Sequence, residues 1–263
     1  MTAAVQRPER FLRFLRFLRV ATVIACFALA AGMAAGATPA AAAPASSAAP
    51  AVPAVQQPLT PALRARLNAA VLHYEAGRLA QAEREFSALA RLAVPAAMFN
   101  LGVMHLKGEL PKANPADAER WLLLAARGGF VTAMFTLGRA LEGGELGRRD
   151  LPAAHEWYER AAERGSVEGM VAMGTAFYLG RGRPRDAAAA AHWYREAAKG
   201  GDVGAQYLIA SMYESGEGVA QDLRLALHWY REAARRGDEA APVKAREIER
   251  RLAEEAPPAP AGN

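Results

Sequence analysis

The chain has 263 residues, of which 52% are hydrophobic and 8% aromatic, enough apolar material for a sizeable core. A single cysteine excludes a disulfide framework. The formal charge is +5, but residues 1–37 hold five arginines against one glutamate, and the other 226 positions carry 27 basic and 26 acidic residues. That balance leaves no electrostatic argument for a nucleic-acid or membrane-surface partner.

The N-terminus reads as an address label. Five arginines within residues 1–19 precede an apolar run from Val20 to about Ala35, and Ala35-Gly36-Ala37 offers a small-x-small cleavage site. This arrangement predicts a secretory signal peptide over 1–37. The run is shorter than the ~20 residues a spanning helix needs, so an uncleaved inner-membrane anchor facing the periplasm is the alternative. Cys26 ends a superficial lipoprotein box, but Arg19 stands too close to it and most of the apolar run lies after it. Residues 38–58 are Ala, Pro, Ser and Val almost throughout, a composition expected of a disordered linker. The expected location is periplasmic or secreted.

Trp121, Trp157, Trp193 and Trp229 are all the tryptophans in the chain, and they fall every 36 residues. A fixed period of that length marks stacked copies of one small unit. Segments 96–131, 132–167, 168–203 and 204–239 overlay without gaps. Ala118, Ala154, Ala190 and Ala226 form one column. Ala125, Ala161, Ala197 and Ala233 form another, beside Ala126, Ala162, Ala198 and Ala234. Gly108, Gly144, Gly180 and Gly216 share a register, as do Gly129, Gly165, Gly201 and Gly237.

Each unit predicts two helices. In the first, Ala97, Leu101, Met104 and His105 recur at helical spacing, and the glycine at 108 ends the helix. Asn114, Asp150, Asp186 and Asp222 are placed to cap the second helix, with Pro115 and Pro152 at early helical positions. The second helix puts Ala118, Trp121 and Ala125 on one face. Small residues let the helices approach closely, and the tryptophan is expected to fill the space beside them as core. One hairpin cannot bury its apolar face alone, so neighbours stack into an all-α solenoid.

The run 205–238, AQYLIASMYESGEGVAQDLRLALHWYREAARRGD, resembles a Sel1-like repeat, a relative of the tetratricopeptide repeat. Leu110 and Leu146 depart from the second turn glycine, and Leu122 from the tyrosine that follows the tryptophan. Upstream, 59–95 is similar to a tetratricopeptide hairpin through Gly77, Leu79, Ala82 and Phe86. Downstream, 240–255 reads as a charged capping helix with Ile248 and Leu252 one turn apart, and 256–263 as a disordered tail.

No catalytic constellation stands out. His192 and His228 share a register and read as solvent-facing, too far apart to share a metal. GRGRPRD at 180–186 reads as a turn rather than a phosphate loop, since no strand precedes it. Glu156, Glu159, Glu163, Glu196 and Glu232 interleave with Arg160, Arg195 and Arg231 as a solvated face. The reading is therefore no enzyme, no metal and no cofactor.

What remains is surface. The resemblance implies a concave groove lined by the first helices, and helical phase then places Phe99, Val103, Leu106 and Lys107 on it. Phe135, Arg139 and Glu142 follow, then Val171, Thr175, Tyr178 and Leu179, then Tyr207, Ser211 and Glu214. Phe99, Phe135 and Tyr207 read equally well as core. The resemblance implies scaffold or adaptor work in envelope or signalling assemblies; with the N-terminal signal and the Ala/Arg-rich composition, the expected partner is a protein or peptide of the bacterial cell envelope held in the groove. It also leaves open a hydrolase acting on cell-wall material, or a structural spacer.

Overall fold

In the computed structural model the described residues are 59–255. The segments expected to be a signal peptide and a linker, with Cys26, and the tail 256–263 lie outside them. Eleven helices run through the described residues, with no strand among them. They are α1 (Pro61–Glu75), α2 (Leu79–Arg91), α3 (Pro95–Leu106), α4 (Pro115–Arg127), α5 (Val131–Gly143) and α6 (Leu151–Glu163). Then come α7 (Val167–Leu179), α8 (Ala187–Lys199), α9 (Val203–Ser215), α10 (Leu223–Arg235) and α11 (Ala241–Glu255). The main contacts join each helix to its neighbours in sequence, which makes this an all-α helical repeat fold.

Local chemistry sets the helix ends. Asn114, Asp150, Asp186 and Asp222 each accept a backbone N–H from the first turn of the second helix, at 2.8–3.0 Å. Expected capping is thus met in all four hairpins. A second set of caps starts the first helices: Gly169 N donates to Ser166 Oγ at 3.0 Å, and Ala205 N to Asp202 Oδ1 at 2.6 Å. The earlier copies place apolar residues there instead, Val94 buried in the core and Phe130 against the Phe99 ring at 5.2 Å. Asp186→Ala should cost about 1 kcal/mol in a urea melt, the usual loss for a carboxylate N-cap. An unchanged melt would show that α8 is held by packing alone.

Carbonyls at the other end of the first helix are met by a long side chain from the following turn. Arg149 Nε donates to the Glu142 carbonyl (3.1 Å), Arg185 Nε to the Tyr178 carbonyl (3.1 Å) and Gln221 Nε2 to the Glu214 carbonyl (2.9 Å). Gly144, Gly180 and Gly216 sit left-handed at these ends. There the N–H bonds back to Ala140, Ala176 and Met212, as glycine alone does without strain.

The core differs from the sequence expectation in one respect. All four tryptophans are only half-buried. The next residue, Leu122, Tyr158, Tyr194 or Tyr230, is the large side chain at the centre, with no more than 3% of its surface exposed. The reason is phase. With 3.6 residues per turn, position 122 falls between Ala118, Ala125 and Ala126, while 121 falls on the flank. There Arg120 lies over the Trp121 ring (4.9 Å) and Arg160 over Trp157 (4.6 Å), while His192 and His228 meet Trp193 and Trp229 edge-on.

Across from the central residue the first helix carries glycine. A Cβ on Gly102 would lie 2.8 Å from Leu122 Cγ; on Gly138 or Gly174 it would lie 2.7 Å from Tyr158 Cδ1 or Tyr194 Cδ1. The ring or leucine therefore packs directly on the helix backbone. In the fourth hairpin the position is Ala210, fully buried beside the others of its cluster.

Candidate functional site: the face of the first helices

The buried tyrosines shape this face. A phenol hydroxyl taken out of water needs a partner, and the first helix supplies it. Tyr158 Oη donates to Glu142 Oε2 at 2.8 Å, and Tyr230 Oη to Glu214 Oε2 at 2.7 Å. Tyr194 Oη pairs with the Thr175 hydroxyl at 3.1 Å, and Ser211 lies beside the Tyr230 hydroxyl. The first hairpin has Leu122 at the centre, and Leu106 and Val103, which occupy the registers of Glu142 and Thr175 and pack against the same core, need no polar partner. Burial raises the Tyr194 pKa to about 12; Tyr158 and Tyr230 are pushed higher, by burial first and then by their glutamates. All three stay protonated across the ordinary pH range.

The same glutamates tie one repeat to the next. Arg181 Nη1 reaches Glu142 Oε1 at 3.2 Å. Glu214 Oε1 meets Lys244 Nζ at 3.1 Å and Arg251 at 3.6 Å, which docks α11 on α9. Tyr178 Oη donates to Glu217 Oε2 at 3.2 Å, and Arg185 pairs with the same carboxylate while lying over the Tyr178 ring. Earlier in the array Lys107 Nζ donates to Tyr74 Oη (2.9 Å), which donates to Glu109 (3.1 Å). That first bond raises the Lys107 pKa. A ladder of polar ties thus runs along the first helices.

These findings sort the residues expected in the groove. Phe99 is 9% exposed and belongs to the core. Phe135 and Tyr207 lean on the central tyrosines, with ring centroids 5.6 and 5.2 Å away, and are half-buried. Glu142, Thr175, Tyr178, Ser211 and Glu214 are structural ties as well as surface. Val103, Leu106 and Val171 are half-buried against the core. Lys107, Arg139 and Leu179 are exposed, Arg139 in a surface pair with Glu145 at 2.8 Å. Exposed pairs of this kind contribute little to stability, so Arg139 is held loosely.

Sequence reasoning missed two features. The tyrosine column was visible as Tyr158, Tyr194 and Tyr230 at the repeat spacing, and phase within α6, α8 and α10 would have placed it at the centre. His155 was missed altogether: it is 3% exposed, whereas His192 and His228 are exposed as expected. Among the described residues no three metal-ligating side chains cluster, and no helix is long and apolar enough to cross a membrane.

The Sel1 repeat model matches residues 95–130, 131–166, 167–202 and 203–238. The chain belongs to the Sel1 repeat family. The matched units begin one residue before the frame read from the tryptophans. A protective antigen of uropathogenic Escherichia coli with an SLR fold is 33% identical, with a TM-score of 0.67 over 74% of this chain. The match spans 43% of that antigen's own length. A Sel1 repeat protein from Oxalobacter formigenes is 30% identical, with a TM-score of 0.64 over 69% of this chain and 74% of its own. No curated protein matches the chain. Sel1 repeat proteins are generally protein-interaction scaffolds, and the fold is typically non-catalytic.

Proposed function

We propose that this chain is an exported adaptor of the bacterial cell envelope that holds a protein or peptide partner on the face of its first helices. One observation carries the reading. The packing columns repeat from copy to copy, while the columns on that face do not: exposed Lys107, Gly143, Leu179 and Ser215 share one register, and Val103, Arg139, Thr175 and Ser211, with Arg139 exposed and the others half-buried, share another. A scaffold needs a constant core; a surface that selects a partner needs different chemistry at each step. Exposed Leu179 supplies an apolar anchor on that face. Crosslinking followed by recovery from envelope extracts tests this directly. A specific protein captured through the first-helix face supports it, and capture through the second helices alone overturns it.

Export rests on the arginine-rich start, the short apolar run and the Ala35-Gly36-Ala37 site. N-terminal sequencing of the cellular protein should find a mature chain beginning near Thr38 in the periplasmic fraction. An intact Met1 in the membrane fraction would replace cleavage with an anchor.

A further inference from the structure

In three junctions, the turn of one repeat docks on the second helix of the repeat before it. At the first, Arg148 grips Glu119 with two hydrogen bonds of 2.7 and 2.6 Å. One repeat later the glutamate's register is taken by His155, and its Nδ1 accepts from Arg183 Nε at 3.3 Å. The next register is Ala191, whose side chain has no polar atom to bond, and the turn meets the start of α8 instead: a Cβ on Gly218 would lie 2.2 Å from the Ala187 carbonyl oxygen. The three latches are an ion pair, an imidazole–guanidinium contact and a bare backbone contact.

We infer that His155 is an acid-released latch: its protonation frees the turn at 180–186 from α6 and loosens the junction between the second and third repeats. An imidazole nitrogen that accepts a hydrogen bond carries no proton. Protonation therefore removes the bond to Arg183 and sets two cations against each other in a site where His155 is 3% exposed. Gly182 is pressed there too, since a Cβ on it would lie 3.1 Å from His155 Cε1 and 2.8 Å from Leu151 Cβ. Arg183 stacks on Phe177 at 4.3 Å, which fixes its position facing the histidine.

The charged groups facing the site are Arg181 and Arg183 from the turn and Glu142 from α5. Burial first, then Arg183, hold the His155 pKa below its ordinary value of 6.5; Glu142 opposes them, and Arg181 adds to them. Glu142 is already engaged by Tyr158 and Arg181. The sign follows from the depressed value. As pH falls below about 6.5 the released histidine binds a proton before the docked one does, so docking weakens down to the depressed pKa and then levels off. The turn also bears Arg185, which caps α7 and pairs with Glu217, so its release reaches the first-helix face.

Amide hydrogen exchange by NMR on the full chain tests the latch, with built-in references. Asp186 N bonds to the Phe177 carbonyl at 3.0 Å; Asp150 N and Asp222 N make the equivalent bonds to Leu141 and Tyr213 at 3.0 and 2.9 Å. Between about pH 7.5 and pH 5, after correction for intrinsic rates, Asp186 should accelerate roughly three- to thirtyfold relative to the other two. The ceiling is set by a group that titrates at about 6.5 when released. His155→Ala installs the residue that the next repeat has at this register and should make the ratio independent of pH. A constant ratio in the native protein, or the same acceleration in His155→Ala, overturns the latch. As a second readout, Arg183→Gln should move the His155 NMR titration midpoint upward; an unmoved midpoint also overturns it.

Discussion

Tyr194→Ala should destabilise the protein by about 3–5 kcal/mol, the loss typical of a large aromatic removed from a packed core. The ring is 1% exposed, rests on the backbone of α7 at Gly174 and is flanked by Ala190, Ala197 and Ala198, none of which can extend to fill the void. Tyr194→Phe keeps the ring and removes only the bond to Thr175, at a cost of about 1 kcal/mol. Trp193→Ala, though it removes a larger side chain, should cost about half as much as Tyr194→Ala, because area already in contact with water contributes nothing on folding. Urea melts followed by far-ultraviolet circular dichroism give all three values. Their order is the test: a loss for Trp193→Ala above that for Tyr194→Ala would put the tryptophan at the centre. Repeats that unfold separately would show as a broadened transition rather than a reversed order.

The contrast between these neighbours shows what was legible in the sequence and what was not. The period, the helix pair and the caps at Asn114, Asp150, Asp186 and Asp222 are local signals, and the structure contains them as read. Assigning the centre of the core to Trp193 rather than Tyr194 was an error of one position, or about 100° around the helix. Tryptophan is rare and marks the period plainly, but its phase puts it on the flank of the helix. Phe99 shows a second limit. Its equivalents Phe135 and Tyr207 lean on a central tyrosine, but the first hairpin has Leu122 there, and Phe99 packs on Phe130 instead. Phase alone puts Glu142 and Glu214 on the binding surface, because their phenol partners lie 16 residues away, a pairing no helical period displays. His155 was hidden for the same reason, since its partner arrives from the next repeat's turn.

The structure also changes how the binding face is best tested. Leu106→Glu with Tyr178→Glu would be a natural pair from phase alone, but Tyr178 donates to Glu217 and supports Arg185. A glutamate there would face a carboxylate across the junction of the third and fourth repeats and weaken the fold itself. Leu179→Glu combined with Arg139→Ala avoids this. Leu179 is 39% exposed, and Arg139 gives up only a surface ion pair. The double variant should keep its helical spectrum and melting point while partner recovery falls by roughly tenfold or more, as when an anchor at an interface is lost. The mechanism is desolvation: a carboxylate placed where the partner buries an apolar group has no counter-charge, and burying it unpaired is costly. Glu159→Ala, exposed on α6 among the second helices, is the control and should leave recovery intact. If Glu159→Ala disrupts capture and the Leu179–Arg139 variant does not, the partner sits on the second helices, and the variable columns of the first helices answer to something other than recognition.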